Sequence, residues 1–151
     1  MDGYESGFEM RVYLDTNIVI YFLYNRDELS SDVSGILFDY SNILLVSSVC
    51  VHEMIHLAQI GKVQKLEKGK KVLINPETII DNIYEAGINI VKVEENHLST
   101  LASLSMYEDH RDPNDRLIIA QAIADRIPLV SSDHKFVRYA CYGLDFIFNE
   151  R

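Results

Sequence analysis

The sequence predicts an α/β protein of three layers, α/β/α, built on a mostly parallel sheet. Short runs rich in Val, Ile and Leu alternate with longer stretches whose apolar residues recur at helical spacing. Strands separated by helices must be joined by crossover connections, and these cover both faces of the sheet. At 151 residues and 48% hydrophobic content, the chain can bury a core of its own within one domain.

Residues 1–9 are polar and acidic, and read as an N-terminal extension, a candidate for disorder, ahead of a single domain over 10–151. A strand is predicted over 12–14, followed by a helix over 18–24 that carries Tyr21, Phe22 and Tyr24. These aromatics suit a core, and their outer face suits a second subunit or a partner. A helix over 33–40, a strand over 43–46 and a helix over 49–60 come next. The stretch 61–71, GKVQKLEKGKK, breaks the pattern with five lysines and two glycines and reads as a linker between helices. Beyond it lie a helix over 77–86, a strand over 88–93 and helices over 98–104 and 113–124. Strands over 128–130 and 145–148 complete the sheet.

The net charge of −9 excludes a protein that coats nucleic acid with a uniformly basic surface, because phosphate contacts come from Lys and Arg. Any contact with nucleic acid must be local or metal-mediated. Cys50 and Cys141 are the only cysteines and lack CxxC spacing, which argues against a disulfide framework and fits a reducing compartment. The start of the chain lacks the basic and apolar regions of a signal peptide, and no apolar run reaches the ~18 residues of a membrane span. A cytoplasmic protein is expected.

The acids fall at particular places in this pattern. Asp15 ends the first strand and Asp133 follows the strand over 128–130, both at the carboxyl edge where open parallel sheets bind ligands. Glu53 lies early in the helix after the second strand, and Asp112 and Asp115 stand in the first turn of the helix opened by Pro113. All can converge on one edge. Carboxylates crowded into a cleft raise one another's pKa, and a divalent cation resolves the conflict. Mg²⁺ or Mn²⁺ suits such oxygen donors and leaves positions open for water and phosphate. Each acid also has a local role open to it: Asp15 and Asp112 as helix N-caps, Asp115 within a capping box, Asp133 in a turn. Glu53 is the exception, a charge set among Val49, Val51, Met54, Ile55 and Leu57.

Leu14-Asp15-Thr16-Asn17, residues 48–53, the run His110-Arg111-Asp112-Pro113-Asn114-Asp115-Arg116-Leu117-Ile118-Ile119-Ala120-Gln121-Ala122 and residues 129–133 resemble, in order and spacing, the motifs of PIN-domain ribonucleases. More narrowly they resemble the VapC-like toxins of toxin–antitoxin pairs. The resemblance implies a five-stranded parallel sheet, a Mg²⁺- or Mn²⁺-dependent endoribonuclease acting on RNA, a homodimer and a small antitoxin partner. It implies that Asp15, Glu53, Asp115 and Asp133 are the catalytic, metal-binding acids, with Asp112 as a further candidate. Thr16, Asn17 and Ser131 or Ser132 would support them by hydrogen bonds.

His52-Glu53-Met54-Ile55-His56 spells H-E-x-x-H, in which two histidines ~40° apart on a helix bind Zn²⁺. The extended form of the motif is missing, since Gln59 and Lys62 stand where it has Gly and His, and nothing marks Glu77 as a third ligand. A zinc peptidase would also leave the other acids unexplained. A receiver-type or dehalogenase-type phosphoryl-transfer domain is disfavoured by Asn17 at two residues past Asp15 and by the lack of an Asp after the second strand. Acids at all four matched positions argue against an inactive interaction domain. Arg111 and Arg116 beside the acidic turn, and Lys65 and Lys68 together with Lys62, Lys70 and Lys71, are candidate RNA contacts, with a solvated linker the alternative for the lysines.

Overall fold

The structure, a computed structural model, describes residues 10–151, so the expectation for 1–9 lies outside the described residues. In chain order the elements are β1 (Arg11–Leu14), α1 (Thr16–Tyr24), α2 (Ser31–Leu37), β2 (Ile43–Ser47), α3 (Ser48–Gln59), β3 (Gln64–Glu67), β4 (Lys70–Leu73), α4 (Ile79–Glu85), β5 (Ile88–Val91), α5 (Glu95–Ala102), α6 (Pro113–Asp125), β6 (Leu129–Ser131) and β7 (Phe146–Phe148). A 3₁₀ stretch, His134–Tyr142, joins the last two strands.

Five strands form one sheet in the order β5-β2-β1-β6-β7, and every pairing is parallel. The chain builds outward from β1 through β2 to β5, then returns across β1 to add β6 and β7. Right-handed crossovers therefore place α1 to α4 over one face and α5 and α6 over the other. The packing agrees, with α1 against α3 and α4, and α5 against α6. The change of direction lies between β1 and β6, and it opens a crevice at their carboxyl ends.

The strands are buried because apolar residues fill both faces: Val12, Leu14, Leu44, Val46, Leu129 and Val130 are each 5% exposed or less. Ile18 and Val19 of α1, Met54 of α3, Ile79 and Ile83 of α4 and Ile119 of α6 pack onto them, as do Phe136 and Tyr139. Tyr21 and Phe22 are core residues, and Tyr24 packs at its margin. Among the described residues no helix is long and apolar enough to cross a membrane.

The lysine-rich stretch departs from the expected plain linker. It forms an antiparallel hairpin, β3 against β4, turned by Lys68 and Gly69 at φ 51° and 77°. A two-residue turn of this kind needs positive φ at both positions, which glycine supplies freely. The helix expected over 33–40 stops at Leu37, because Asp39 accepts hydrogen bonds from Ser41 N and Oγ and turns the chain. The strand expected to reach residue 93 stops at Val91, which pairs with Ser47, the last residue of its neighbour. The helix expected from 98 starts at Glu95, since Glu94 N donates to His97 Nδ1 and fixes its first turn.

Candidate active site

Parallel pairing sets Tyr13 beside Leu129 and Leu14 beside Val130, so the next residues, Asp15 and Ser131, meet at the carboxyl edge. Asp15 N donates to Val130 O, and Ser131 Oγ donates to Asp15 Oδ2 at 2.7 Å. The other oxygen, Oδ1, accepts from Thr16 N at 2.7 Å. Asp15 thus caps α1 and faces the crevice at once. Thr16 Oγ1 donates to Glu53 Oε1 at 2.6 Å, which ties the first turn of α1 to α3. Asn17 is exposed beside them.

Asp112 caps α6, its Oδ1 accepting from Asn114 N at 2.9 Å and Asp115 N at 3.4 Å, with Pro113 at the first helical position. The cap aims Asp115 into the crevice. Ser131 Oγ accepts from Asp133 N at 3.0 Å, and Asp133 Oδ1 accepts from Lys135 N to start the 3₁₀ stretch. Ser132 Oγ accepts from Asn149 Nδ2 instead, and its hydrogen bond leads away from the acids.

Electrostatics report the crowding. Burial, then the charges of Asp15, Asp112, Glu53 and Asp133, pushes Asp115 from 3.8 up to about 8. Burial raises Asp15 to about 6 against the hydrogen bonds from Ser131 and Thr16, with Glu53 and Asp133 adding repulsion. Behind the acids, burial first and then the Asp15 charge drive the Cys50 thiol up, which keeps it neutral. A cluster in this state is short of positive charge and long on oxygen donors, which suits a hard divalent cation.

His110 is a site residue that sequence reasoning missed. It is 5% exposed, and its Nε2 lies 3.4 Å from Asp115 Oδ2 and 3.8 Å from Asp133 Oδ2. Ligand atoms of His110, Asp115 and Asp133 all lie within 4.8 Å of one another, the one such group among the described residues. Asp15 and Glu53 are not members of this mutually close group, but both lie near enough to perturb Asp115. The only sequence signal for His110 was its place two residues ahead of Asp112.

The candidate RNA contacts divide. Arg111 is exposed beside the acidic turn. Arg116 is a correction: it is 8% exposed and its Nη2 donates to Leu104 O at 3.0 Å and Ser105 O at 3.3 Å, so it holds a loop and offers nothing to a phosphate. Lys65, with Lys62 and Lys71, lines a groove of about 680 Å³ that begins at Asn17, and Lys68 stands at the hairpin tip. Lys65 also pairs with Glu67 at 3.4 Å. His52 and His56 are both exposed, and neither joins a group of metal donors among the described residues, so the zinc motif finds no centre to belong to.

No curated protein sequence matches the chain. Solved structures do. The structure of VapBC2 from Rickettsia felis bound to a promoter DNA fragment matches with a TM-score of 0.65 at 20% identity, over 93% of this chain and 100% of that one. VapBC-1 from nontypeable Haemophilus influenzae matches at 0.62 and 23% identity, over 92% and 98%. DNA-bound VapBC from Salmonella typhimurium matches at 0.63 and 14%, over 92% and 98%. At these identities the likeness establishes the fold. The PIN domain profile matches residues 12–141, a span that begins in β1 and takes in every acid of the crevice, and the chain belongs to the PIN domain family.

Proposed function

We propose that this chain is a metal-dependent endoribonuclease, and that it is the toxin of a VapBC-type toxin–antitoxin pair acting in the cytoplasm. The observation that carries the proposal is the carboxylate crevice, in which Asp115 at about 8 and Asp15 at about 6 are held far from their ordinary values. Asp15, Glu53, Asp115 and Asp133 would hold Mg²⁺ or Mn²⁺, and the bound ion would activate water and offset charge on the phosphate. Thr16 and Ser131 hold Glu53 and Asp15 in place by donating to them. Asp112 orients Asp115 from the helix cap. Arg111, with Lys65 and Lys68, would meet the RNA backbone, which an acidic protein can engage only locally. A small antitoxin and a second copy of the chain are the proposed partners.

Purified protein incubated with structured RNAs in Mg²⁺ or Mn²⁺ tests the chemistry. Cleavage is expected to vanish with Asp15→Asn, with Asp115→Asn and on chelation. Cleavage that survives both substitutions and chelation refutes the mechanism. Expression of the wild type should arrest growth, with relief by the product of a short adjacent reading frame. Absence of that relief would remove the antitoxin assignment while leaving the nuclease intact.

A further inference from the structure

A buried histidine among acids ordinarily packs on one side and donates to a carboxylate on the other. His110 packs on aromatic rings but donates to no carboxylate. Its Nε2 is buried with no hydrogen-bond partner, an arrangement that costs about 1–3 kcal/mol unless something else satisfies it. The separations of 3.4 Å to Asp115 and 3.8 Å to Asp133 exceed the ~2.7–3.2 Å of an N–H···O bond. They match donor atoms that share an ion, since ligands bound at ~2.1 Å stand ~3–4 Å apart.

The ring is also held for this purpose. Residues 107–110 form a tight turn closed by His110 N donating to Tyr107 O at 3.1 Å. That turn is pinned to the 3₁₀ stretch three ways: Asp109 pairs with Arg138, Lys135 Nζ donates to Asp109 O, and the Tyr107 ring meets Tyr139 edge-on at 5.4 Å. His110 Nδ1 lies 2.9 Å from Tyr139 Oη, and the ring leans on Phe136 and Tyr139. With the proton on Nδ1 and donated to the phenol oxygen, the Nε2 lone pair faces the two carboxylates, the tautomer a metal-bound histidine adopts.

We propose that His110 Nε2 is itself a metal ligand, joined by Asp115 and Asp133, and that it biases the centre toward Mn²⁺ over Mg²⁺. This rests on the metal-dependent function proposed above and deepens it. Mg²⁺ holds to oxygen donors and water, whereas imidazole nitrogen favours first-row transition ions. A crevice of acids alone would not discriminate in this way.

Electron spin-echo modulation of Mn²⁺ bound to the wild-type protein reads the ligand directly. Nitrogen-14 modulation is expected in the wild type and absent in His110→Gln. In that variant Mn²⁺ affinity, measured by titration calorimetry, should fall by at least the ~10-fold that loss of an outer-shell partner causes, with Mg²⁺ affinity changing less. Bound Mn²⁺ without nitrogen modulation overturns the role of His110 and leaves the acid-only metal site standing. Modulation that persists in His110→Gln assigns the nitrogen elsewhere and overturns it too. Absence of any Mn²⁺ binding overturns this inference together with the metal-dependent function. Where His110→Gln fails to fold, His110→Asn serves as the second variant, and a wild-type spectrum without nitrogen modulation overturns the proposal with neither.

Discussion

Asp115→Asn should stabilise the metal-free protein while removing its chemistry. The Asp115 carboxyl titrates at about 8 in the fold against an ordinary 3.8. Between those values the folded chain keeps a proton that the unfolded chain has released, so stability falls as pH rises, by up to ~1.4 kcal/mol per pH unit. Over the whole window this sums to ~6 kcal/mol. The amide carries no charge but stays a buried polar group, which retains ~1–3 kcal/mol of the burden. The net gain expected above pH 8 is ~3–5 kcal/mol, or ~10 °C in melting temperature for a domain of this size.

His110 works with the opposite sign. Burial lowers its pKa from 6.5, so its contribution is lost as pH falls through that value, and well above 6.5 it is neutral in both states. Asp15, raised to about 6, is ionised in both states there as well, so the upper part of the interval from 6.5 to about 8 isolates Asp115. Thermal and urea denaturation in chelator, followed by circular dichroism across that interval, should show a falling wild type and a flatter variant. Added Mn²⁺ should raise the wild type and act less on Asp115→Asn. Parallel curves for the two proteins, or a variant less stable at pH 8, would refute the electrostatic account.

Arg116→Ala should lower stability by ~2–4 kcal/mol, since it strips the donor from two loop carbonyls in a buried setting, with RNA affinity unchanged. Arg111→Ala should do the reverse, weakening RNA binding and its salt dependence without moving the melting temperature. Thr16→Val keeps the shape of the side chain but deletes its donation to Glu53. Turnover should fall ~10–100-fold, with unfolding free energy within ~1.5 kcal/mol of wild type. A variant that cleaves at the wild-type rate would show that Glu53 needs no such support.

The strands were legible because a parallel sheet buries both faces, and runs such as Leu44-Leu45-Val46 announce that without help from the rest of the chain. Asp15 and Asp133 followed from strand ends, a local signal. The hairpin was not legible as such: Gln64-Lys65-Leu66-Glu67 is largely polar and its partner Lys70-Lys71-Val72-Leu73 is wholly exposed, so no core face imposes a period of two. Glu53 could be suspected from its apolar neighbours, but its partner Thr16 comes from another helix. His110 was hidden because its burial is made by Phe136 and Tyr139, some thirty residues on, while its own neighbours in sequence are charged. Arg116 was misread for a reason the sequence did contain. It shares a helical face with Ile119 and Ala120, three and four residues on, and both are fully buried, whereas Asp115 is turned ~100° away.

The opposite edge of the same sheet shows why the crevice reads as a working site. Asp125 at the end of α6 also faces histidine and tyrosine, yet both its oxygens are satisfied by the protein. Tyr13 Oη donates to Oδ2 at 2.5 Å, and His97 Nε2 lies 2.9 Å from Oδ1. Glu94 N donates to His97 Nδ1, which leaves the ring proton on Nε2 and makes that nitrogen a donor to Asp125. Acid, histidine and phenol complete one another there, and no external ion is called for. At the carboxyl edge the same three residue types are arranged the other way round. Tyr139 takes up Nδ1 of His110, the free Nε2 meets two carboxylates beyond bonding distance, and Asp115 stays pressed by its neighbours' charges. Among the described residues, α6 thus ends on a cluster the protein completes and begins on one it leaves incomplete, and it is the second that the proposed cation would complete.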